Sequence, residues 1–153
     1  MLDDCPFCKI VKGLAPCHKI WEDDDFLAFL SIFPNTEGFS FLITKEHYDS
    51  YIFNLEDDLL HKFILAAKYV AKLLDTKLDD VSRTGLIFEG SGIDHAHIKL
   101  IPMHGTANIS KWNPTTTYLD KYFKKYEGYL SSHESLRKDD KELEKTAKKI
   151  RLQ

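Results

Sequence analysis

The chain has 153 residues, of which 43% are hydrophobic, and it carries a formal net charge of -3 with a pI near 6.1. The length fits one compact domain with a sizeable core, and the weakly acidic balance argues against a general nucleic-acid binder. No apolar run is long enough to span a bilayer and the first residues lack a signal-peptide pattern, so we expect no membrane segment and a cytoplasmic location. Three cysteines are too few for a disulfide framework, which predicts reduced thiols.

Near the start of the chain, the sequence Cys5-Pro6-Phe7-Cys8 has the two-residue spacing that lets two thiolates bind one zinc ion. His47 and His95 are candidates to complete a tetrahedral set. A redox dithiol is the alternative, but such a motif usually follows a strand, and the sequence before Cys5 is too short for one. The third cysteine, Cys17, resembles a turn or strand-edge residue and receives no role.

The first strands are predicted around an acidic cluster at residues 22–25. Residues 19–21 and 26–30 flank this cluster, which favours a hairpin with a solvated turn. A third strand is predicted at residues 39–43. His47 then lies just beyond the end of that strand, where functional residues are often found.

A long amphipathic helix is predicted next, with Asn54 as its N-cap. Apolar residues recur on one face with helical spacing, which predicts that this face packs on the sheet. They are Leu59, Leu60, Phe63, Ile64, Ala67, Val70, Ala71 and Leu74. His61 falls on the polar side of the helix and is expected to be a surface residue.

A further strand, at residues 84–88, leads into a turn that contains two glycines. Glycine permits the close approach and the unusual φ angles that a backbone anion site needs, and a serine hydroxyl adds a donor. A Gly-x-Gly pattern by itself is more often a plain hairpin turn. Its position three residues before His95 favours a phosphate contact through Gly90, Ser91 and Gly92.

The residues from 95 to 102 alternate between polar and apolar side chains with the period of a β-strand. This places His95, His97 and Lys99 on one face of the strand. Three nitrogen-bearing side chains in a row are poor strand formers and repel one another when all are protonated. The pattern therefore favours a functional site over an incidental surface strand.

The last part of the chain, residues 105–153, differs in character and is interpreted as a C-terminal helical extension of a catalytic domain at 1–104. A short helix ending at Gly128 is predicted from aromatic residues, and a terminal helix is predicted with Asp139 or Asp140 as its cap. Because aromatic residues at this density rarely stay in water, we expect the extension to pack on the same domain or on a neighbouring subunit. The aromatic residues are Tyr118, Tyr122, Phe123, Tyr126 and Tyr129.

Taken in order, the cysteine pair, the acidic hairpin, the segment from Gly38 to His47 and the His95-x-His97 strand resemble the histidine triad superfamily of nucleotide hydrolases and transferases. The resemblance covers the chain from about residue 5 to residue 104. It implies an α+β fold, with an antiparallel sheet, one long packing helix, and a homodimer across which the sheet continues. Relatives include nucleoside phosphoramidases, dinucleoside polyphosphate hydrolases and nucleotidyl transferases.

The resemblance also implies roles for individual residues. His97, in the middle of the motif, would attack the α-phosphorus of a purine nucleotide and form a nucleotidyl-histidine that water then cleaves. His95 would join the two cysteines and His47 as a ligand of a structural zinc ion. Lys99 replaces the third histidine of the family and would place a positive charge beside the phosphoryl anion. Family positions that contact the nucleoside correspond to Phe7, Ile10, Phe29, Ser31 and Ile32.

Some positions depart from the family pattern. Ser31 stands where many relatives have a ribose-binding aspartate, and Phe88 stands where many have an asparagine beside the phosphate. The predicted function is hydrolysis at the α-phosphate of a phosphoramidate or a dinucleoside polyphosphate. The alternatives are a nucleotidyl transferase, suggested by the missing third histidine, and a zinc-stabilised nucleotide-binding or sensing module without catalysis. His104 is a weaker candidate as a substitute for that histidine.

Overall fold

The computed structural model describes residues 4–107, 117–128 and 141. Contacts divide the chain into two compact units, Met1–Lys111 and Trp112–Gln153. The division falls seven residues after the boundary predicted from the sequence. Within residues 4–107, the main elements of the first unit are two α-helices, a short 3-10 helix and five strands. In chain order they are α1 (Pro6–Val11), β1 (Lys19–Glu22), β2 (Phe26–Leu30), β3 (Ser40–Thr44), the 3-10 helix (Ile52–Asn54), α2 (Asp57–Lys77), β4 (Val81–Ile87) and β5 (His97–His104).

All five strands form one antiparallel sheet in the order β1-β2-β3-β5-β4. The predicted acidic hairpin is confirmed between β1 and β2. Its turn is closed by the Asp23 carboxylate, which accepts hydrogen bonds from the N–H groups of Asp25 at 3.0 Å and Phe26 at 2.7 Å. Because β5 lies between β3 and β4, the strand that carries the histidines is hydrogen-bonded to a neighbouring strand along both of its edges.

Helix α2 covers one face of the sheet, as predicted. Its buried side chains pack against the apolar side chains of β2, β3 and β5. They are Phe63, Ala66, Ala67, Val70 and Leu74. Ile64 was expected on this face but is 41% exposed, while His61 is exposed as predicted. Within the described part of the chain, no helix combines the length and apolar content needed to cross a bilayer.

The start of α2 differs from the prediction. The N-cap is Glu56, and Asn54 instead ends the 3-10 helix. Ile52 and Leu55 are both buried in the core, which fixes a separate turn ahead of the helix. The Asn54 amide donates to the Asp49 carboxylate at 3.5 Å and does not cap α2.

Strand β5 begins at His97, two residues later than the alternating pattern indicates. Just before it, the Ala96 N–H donates to the Tyr48 carbonyl at 2.9 Å, so the chain leaves the ladder there. The alternation of faces is nevertheless confirmed, because Ala96, Ile98 and Leu100 all lie in the core beneath α2. The pairing of β5 with β3 ends at Leu100. Pro102, which has no N–H to donate, is therefore tolerated two residues later, where only β4 pairs with β5.

In the second unit, the described segment 117–128 contains an isolated bridge at Tyr118 and several bends but no helix. The short helix predicted to end at Gly128 is therefore wrong over these residues. Tyr118, Tyr122 and Tyr126 have helical spacing, but all three rings are more than half exposed, and a short helix needs packing to be stable. Tyr129 and the predicted terminal helix lie outside the described residues, apart from Lys141, which is helical.

Candidate functional site

Four side chains from distant parts of the sequence meet where α1 lies against the sheet. The ligand atoms of Cys5, Cys8, His47 and His95 all lie within 4.8 Å of one another. Cys5 caps α1 and Cys8 lies in its first turns, so the helix brings both sulfurs to one side. His95 is fully buried and His47 is partly exposed.

The spacing of these atoms suits a tetrahedral zinc ion. The His95 Nδ1 atom lies 3.4 Å from the Cys5 sulfur and 3.6 Å from the Cys8 sulfur, and the His47 Nδ1 atom lies 3.4 Å from the Cys8 sulfur. With zinc bond lengths of about 2.3 Å to sulfur and 2.0–2.1 Å to nitrogen, a tetrahedral site separates sulfur and nitrogen by about 3.6 Å. Both cysteines are free thiols, which ligation requires. The residues present therefore fit zinc.

The orientation of the His95 ring is set by strand β3. Its Nε2–H donates to the Thr44 carbonyl at 2.7 Å, which turns the Nδ1 lone pair towards the two sulfurs. A hydrogen bond of this kind on the far nitrogen fixes the tautomer of a metal-ligating histidine. Burial lowers the pKa of His95, which further favours the neutral ring.

His97 occupies the same face of the chain as His95. Its Nδ1–H donates to the His95 carbonyl at 2.7 Å, so the lone pair is on Nε2. The ring is buried beside Phe7 and Phe41, whose centroids lie 5.6 Å and 5.8 Å away in edge contacts. This burial lowers the pKa of His97, so the neutral and nucleophilic form is favoured.

Lys99 lies two residues after His97 on the same face of β5 and forms an ion pair with Glu89. The Lys99 side chain is 25% exposed and that of Glu89 is 8% exposed. Burial lowers the pKa of Lys99. The sequence predicts Lys99 as a phosphate contact, but nothing in its pattern indicates that a buried carboxylate accompanies it.

The glycine turn that follows Glu89 has the backbone that the sequence predicts. Gly90 and Gly92 adopt φ values of 61° and 88°. A Cβ on Gly90 would lie 3.2 Å from the Ser50 carbonyl, and the Ser50 hydroxyl donates to the Gly90 carbonyl at 3.1 Å. The turn is therefore fixed against the segment that follows His47.

The side chains predicted to contact the nucleoside do not all lie together. Phe7 and Phe29 are buried in one cluster with Ile10 packed on it. Ser31 accepts a hydrogen bond from the N–H group of Phe33, and Ile32 is 71% exposed. The ring of Phe7 packs directly against His95 and His97, so it helps to fix the positions of both imidazole rings.

His104 lies at the other end of β5 from His97. Its two ring nitrogens bond to the Asp80 carboxylate at 2.8 Å and the Glu37 carbonyl at 2.9 Å, which gives it a structural role there. Sequence reasoning missed Thr44, Phe41 and Glu89. Thr44 and Phe41 were detectable in principle, because antiparallel pairing of β3 with the histidine strand places β3 side chains beside the site.

The two thiols and two imidazoles that could hold a metal ion therefore lie next to a second buried histidine, His97. The family model of the HIT domain matches residues 12–106. The chain belongs to the HIT family.

Two relatives and one solved structure illustrate this similarity. An uncharacterized HIT-like protein of Methanocaldococcus jannaschii is 31% identical over 130 residues, which is 81% of this chain and 99% of the relative. The adenosine 5'-monophosphoramidase of Saccharomyces cerevisiae is 30% identical over 85% of this chain and 83% of the enzyme. The crystal structure of a zinc-bound histidine triad family protein from Mycobacterium smegmatis aligns with a TM-score of 0.64 at 23% identity, covering 72% of this chain and 82% of that one. This last similarity concerns the fold.

Proposed function

We propose that the protein is a hydrolase that cleaves purine nucleotide derivatives at the α-phosphate through a covalent intermediate on His97. The observation that supports the proposal is the hydrogen bond from His97 Nδ1–H to the His95 carbonyl, because it leaves the ring lone pair on Nε2, where a nucleophile would need it. Relatives that include a monophosphoramidase support the reaction class.

The proposed reaction has two displacements. In the first, the Nε2 lone pair of His97 attacks the α-phosphorus, and the leaving group departs with the electrons of its bond to phosphorus; an amine leaving group takes up a proton from solvent as it departs. In the second, a water oxygen attacks the same phosphorus, the bond to Nε2 breaks, its electrons return to the His97 ring, and the nucleoside monophosphate is released as one proton of the water passes to solvent. Lys99 and the N–H groups of the Gly90, Ser91 and Gly92 turn hold the phosphoryl oxygens.

We assign a structural zinc ion to the cluster formed by Cys5, Cys8, His47 and His95. Four protein ligands leave no position for water, so the ion would supply folding energy and no chemistry. It would tie α1 to the strand that carries His97. Thiolate ligands suit a reducing compartment, as expected for a cytoplasmic protein.

We also propose that the protein is a homodimer. Leu65 and Tyr69 on the outer face of α2 are 63% and 57% exposed, and the edge strand β4 presents Leu86. Light scattering should give twice the monomer mass, and Leu65→Glu should shift the equilibrium towards the monomer. A monomeric wild-type protein at micromolar concentration would contradict this proposal.

The His97→Asn variant tests the reaction, with His61→Asn as a matched control on the exposed side of α2. We expect His97→Asn to keep its fold, zinc content and nucleotide binding while turnover of an adenosine phosphoramidate falls by several orders of magnitude. Acid-quenched wild-type protein should carry a nucleotidyl mass on the peptide containing residue 97.

Retained turnover in His97→Asn, or an adduct on another residue, would refute this mechanism. Turnover that appears only when a second nucleophile is added would instead identify a transferase. Nucleotide binding with no turnover that depends on His97 would identify a binding module.

A further inference from the structure

Glu89 is a buried carboxylate beside the predicted phosphate site. Its side chain is 8% exposed, and it forms an ion pair with the Lys99 ammonium. The Gly90 carbonyl next to it is held by the Ser50 hydroxyl, so the backbone after Glu89 is fixed. A carboxylate removed from water at a fixed position exerts a strong field on its surroundings, because few solvent dipoles screen it.

The ion pair changes the charge that a substrate meets. Lys99 alone would attract each further phosphate of a nucleotide chain, but the Glu89 carboxylate cancels much of that attraction. A buried carboxylate also repels any phosphate that approaches it. The pair therefore offers donors to one phosphoryl group without favouring a chain of several.

Both residues of the pair lie near His97. Lys99 is paired with Ile87 across the ladder, and Glu89 follows Ile87 by two residues, so Glu89 continues along the same side of the sheet. Lys99 lies two residues, about 7 Å, along β5 from His97. A further phosphate attached to a phosphoryl group at His97 is therefore within the field of this pair.

We propose that Glu89 is a specificity-determining residue that selects against leaving groups carrying additional phosphates. Its carboxylate neutralises Lys99 and repels polyphosphate, so the site takes a nucleoside phosphoryl amide whose leaving group is an uncharged or cationic amine. This inference rests on the proposed function for the reaction. The charge selection itself is a property of binding and is measurable without turnover.

The experiment compares two ligands, AMP and ATP, by calorimetry on the zinc-loaded full chain and its variants. Glu89→Gln keeps the size and hydrogen bonding of the side chain but leaves the Lys99 charge uncompensated. We expect it to raise the affinity for ATP relative to AMP at least about tenfold. Glu22→Gln is the matched control, since Glu22 forms an ion pair with Lys45 at 2.7 Å elsewhere on the sheet, and its ATP to AMP ratio should equal that of the wild type.

Two further variants keep the test decisive if Glu89→Gln does not fold. Lys99→Met removes the ammonium and leaves the Glu89 carboxylate without its counter-charge. It should lower the affinity for ATP relative to AMP, which is the opposite of the shift expected for Glu89→Gln. The double variant Glu89→Gln, Lys99→Met removes both charges and should return the ratio towards the wild-type value.

Kinetics give the second readout. The wild type should hydrolyse an adenosine phosphoramidate with a higher kcat/KM than diadenosine tetraphosphate, and Glu89→Gln should narrow this preference at least about tenfold. Unchanged ligand ratios in folded Glu89→Gln and Lys99→Met would overturn the inference. Shifted ratios in a protein without turnover that depends on His97 would uphold the selection by charge and overturn the proposed function alone.

Discussion

Replacing Phe7 by alanine tests whether this ring supports the histidines from within the core or lines an open base pocket. The Phe7 side chain is 4% exposed and makes edge or tilted ring contacts, with centroids 5.5–5.7 Å apart, to four neighbours. They are Phe29, Phe41, His95 and His97. The ring lies between the two cysteines in sequence, so its loss also loosens α1.

The expected loss follows from this packing. Burial of a phenylalanine side chain stabilises a fold by about 1.5–3 kcal/mol, and well-formed ring pairs add about 0.5–1.5 kcal/mol. A cavity term brings the expected cost of Phe7→Ala to about 3–5 kcal/mol, and Phe7→Leu should cost less because it leaves a smaller cavity. Because His97 loses a flanking ring, kcat should fall more than KM rises.

Urea unfolding followed by circular dichroism measures the free energy of unfolding, and steady-state kinetics measure kcat and KM. A Phe7→Ala variant with less than about 1 kcal/mol of destabilisation and a raised KM alone would show that the ring contacts the base and is not buried. The Ile32→Ala variant is a suitable comparison, because that side chain is exposed and should have little effect on stability.

Purified protein should contain one zinc ion per chain in metal analysis, and a chelator should lower its Tm. The Cys8→Ser variant should lose the metal, whereas Cys17→Ser should keep it. Gly38→Ala should destabilise the fold by about 1–3 kcal/mol in urea unfolding, because φ is 79° and the new Cβ would lie 2.8 Å from Leu78. Gly13→Ala, with a similar φ and no atom within 4 Å, should cost less. The bonds from His104 to the Glu37 carbonyl and the Asp80 carboxylate raise the pKa of His104 above 6.5, so the stability it adds is full below that pH and is lost as the pH rises through its folded-state pKa. The difference in free energy of unfolding between wild type and His104→Gln should therefore be larger at about pH 5.5 than at about pH 8.5, and a difference that grows with pH would contradict this sign.

Local patterns in the sequence were sufficient to predict a structural feature where one physical rule dominated. The alternation of His95, Ala96, His97 and Ile98 determines which side chains face the core, since strand side chains alternate whatever their partners are. The Cys5 and Cys8 spacing likewise predicts a shared ligand position, because one turn of helix brings residues three apart to the same side. Helix α2 was predictable from its apolar face for a similar reason.

Other features depended on contacts between distant segments. Asn54 has good capping chemistry, but burial of Ile52 and Leu55 moves the start of α2 to Glu56. Tyr118 and Tyr122 have helical spacing, yet within the described segment their rings remain exposed and no helix forms. Propensity and spacing predict what a segment favours, and packing selects among the options.

The sequence by itself determined the family, the four cysteine and histidine residues that cluster together, and the histidine face of β5. Only the tertiary structure decided that Phe7 lies beneath His97 and that Glu89 pairs with Lys99. These contacts join residues that are 90 and 10 positions apart in the chain. Sequence periodicity reports the two faces of one element, whereas the pairing of side chains across elements depends on how the sheet and α1 pack together.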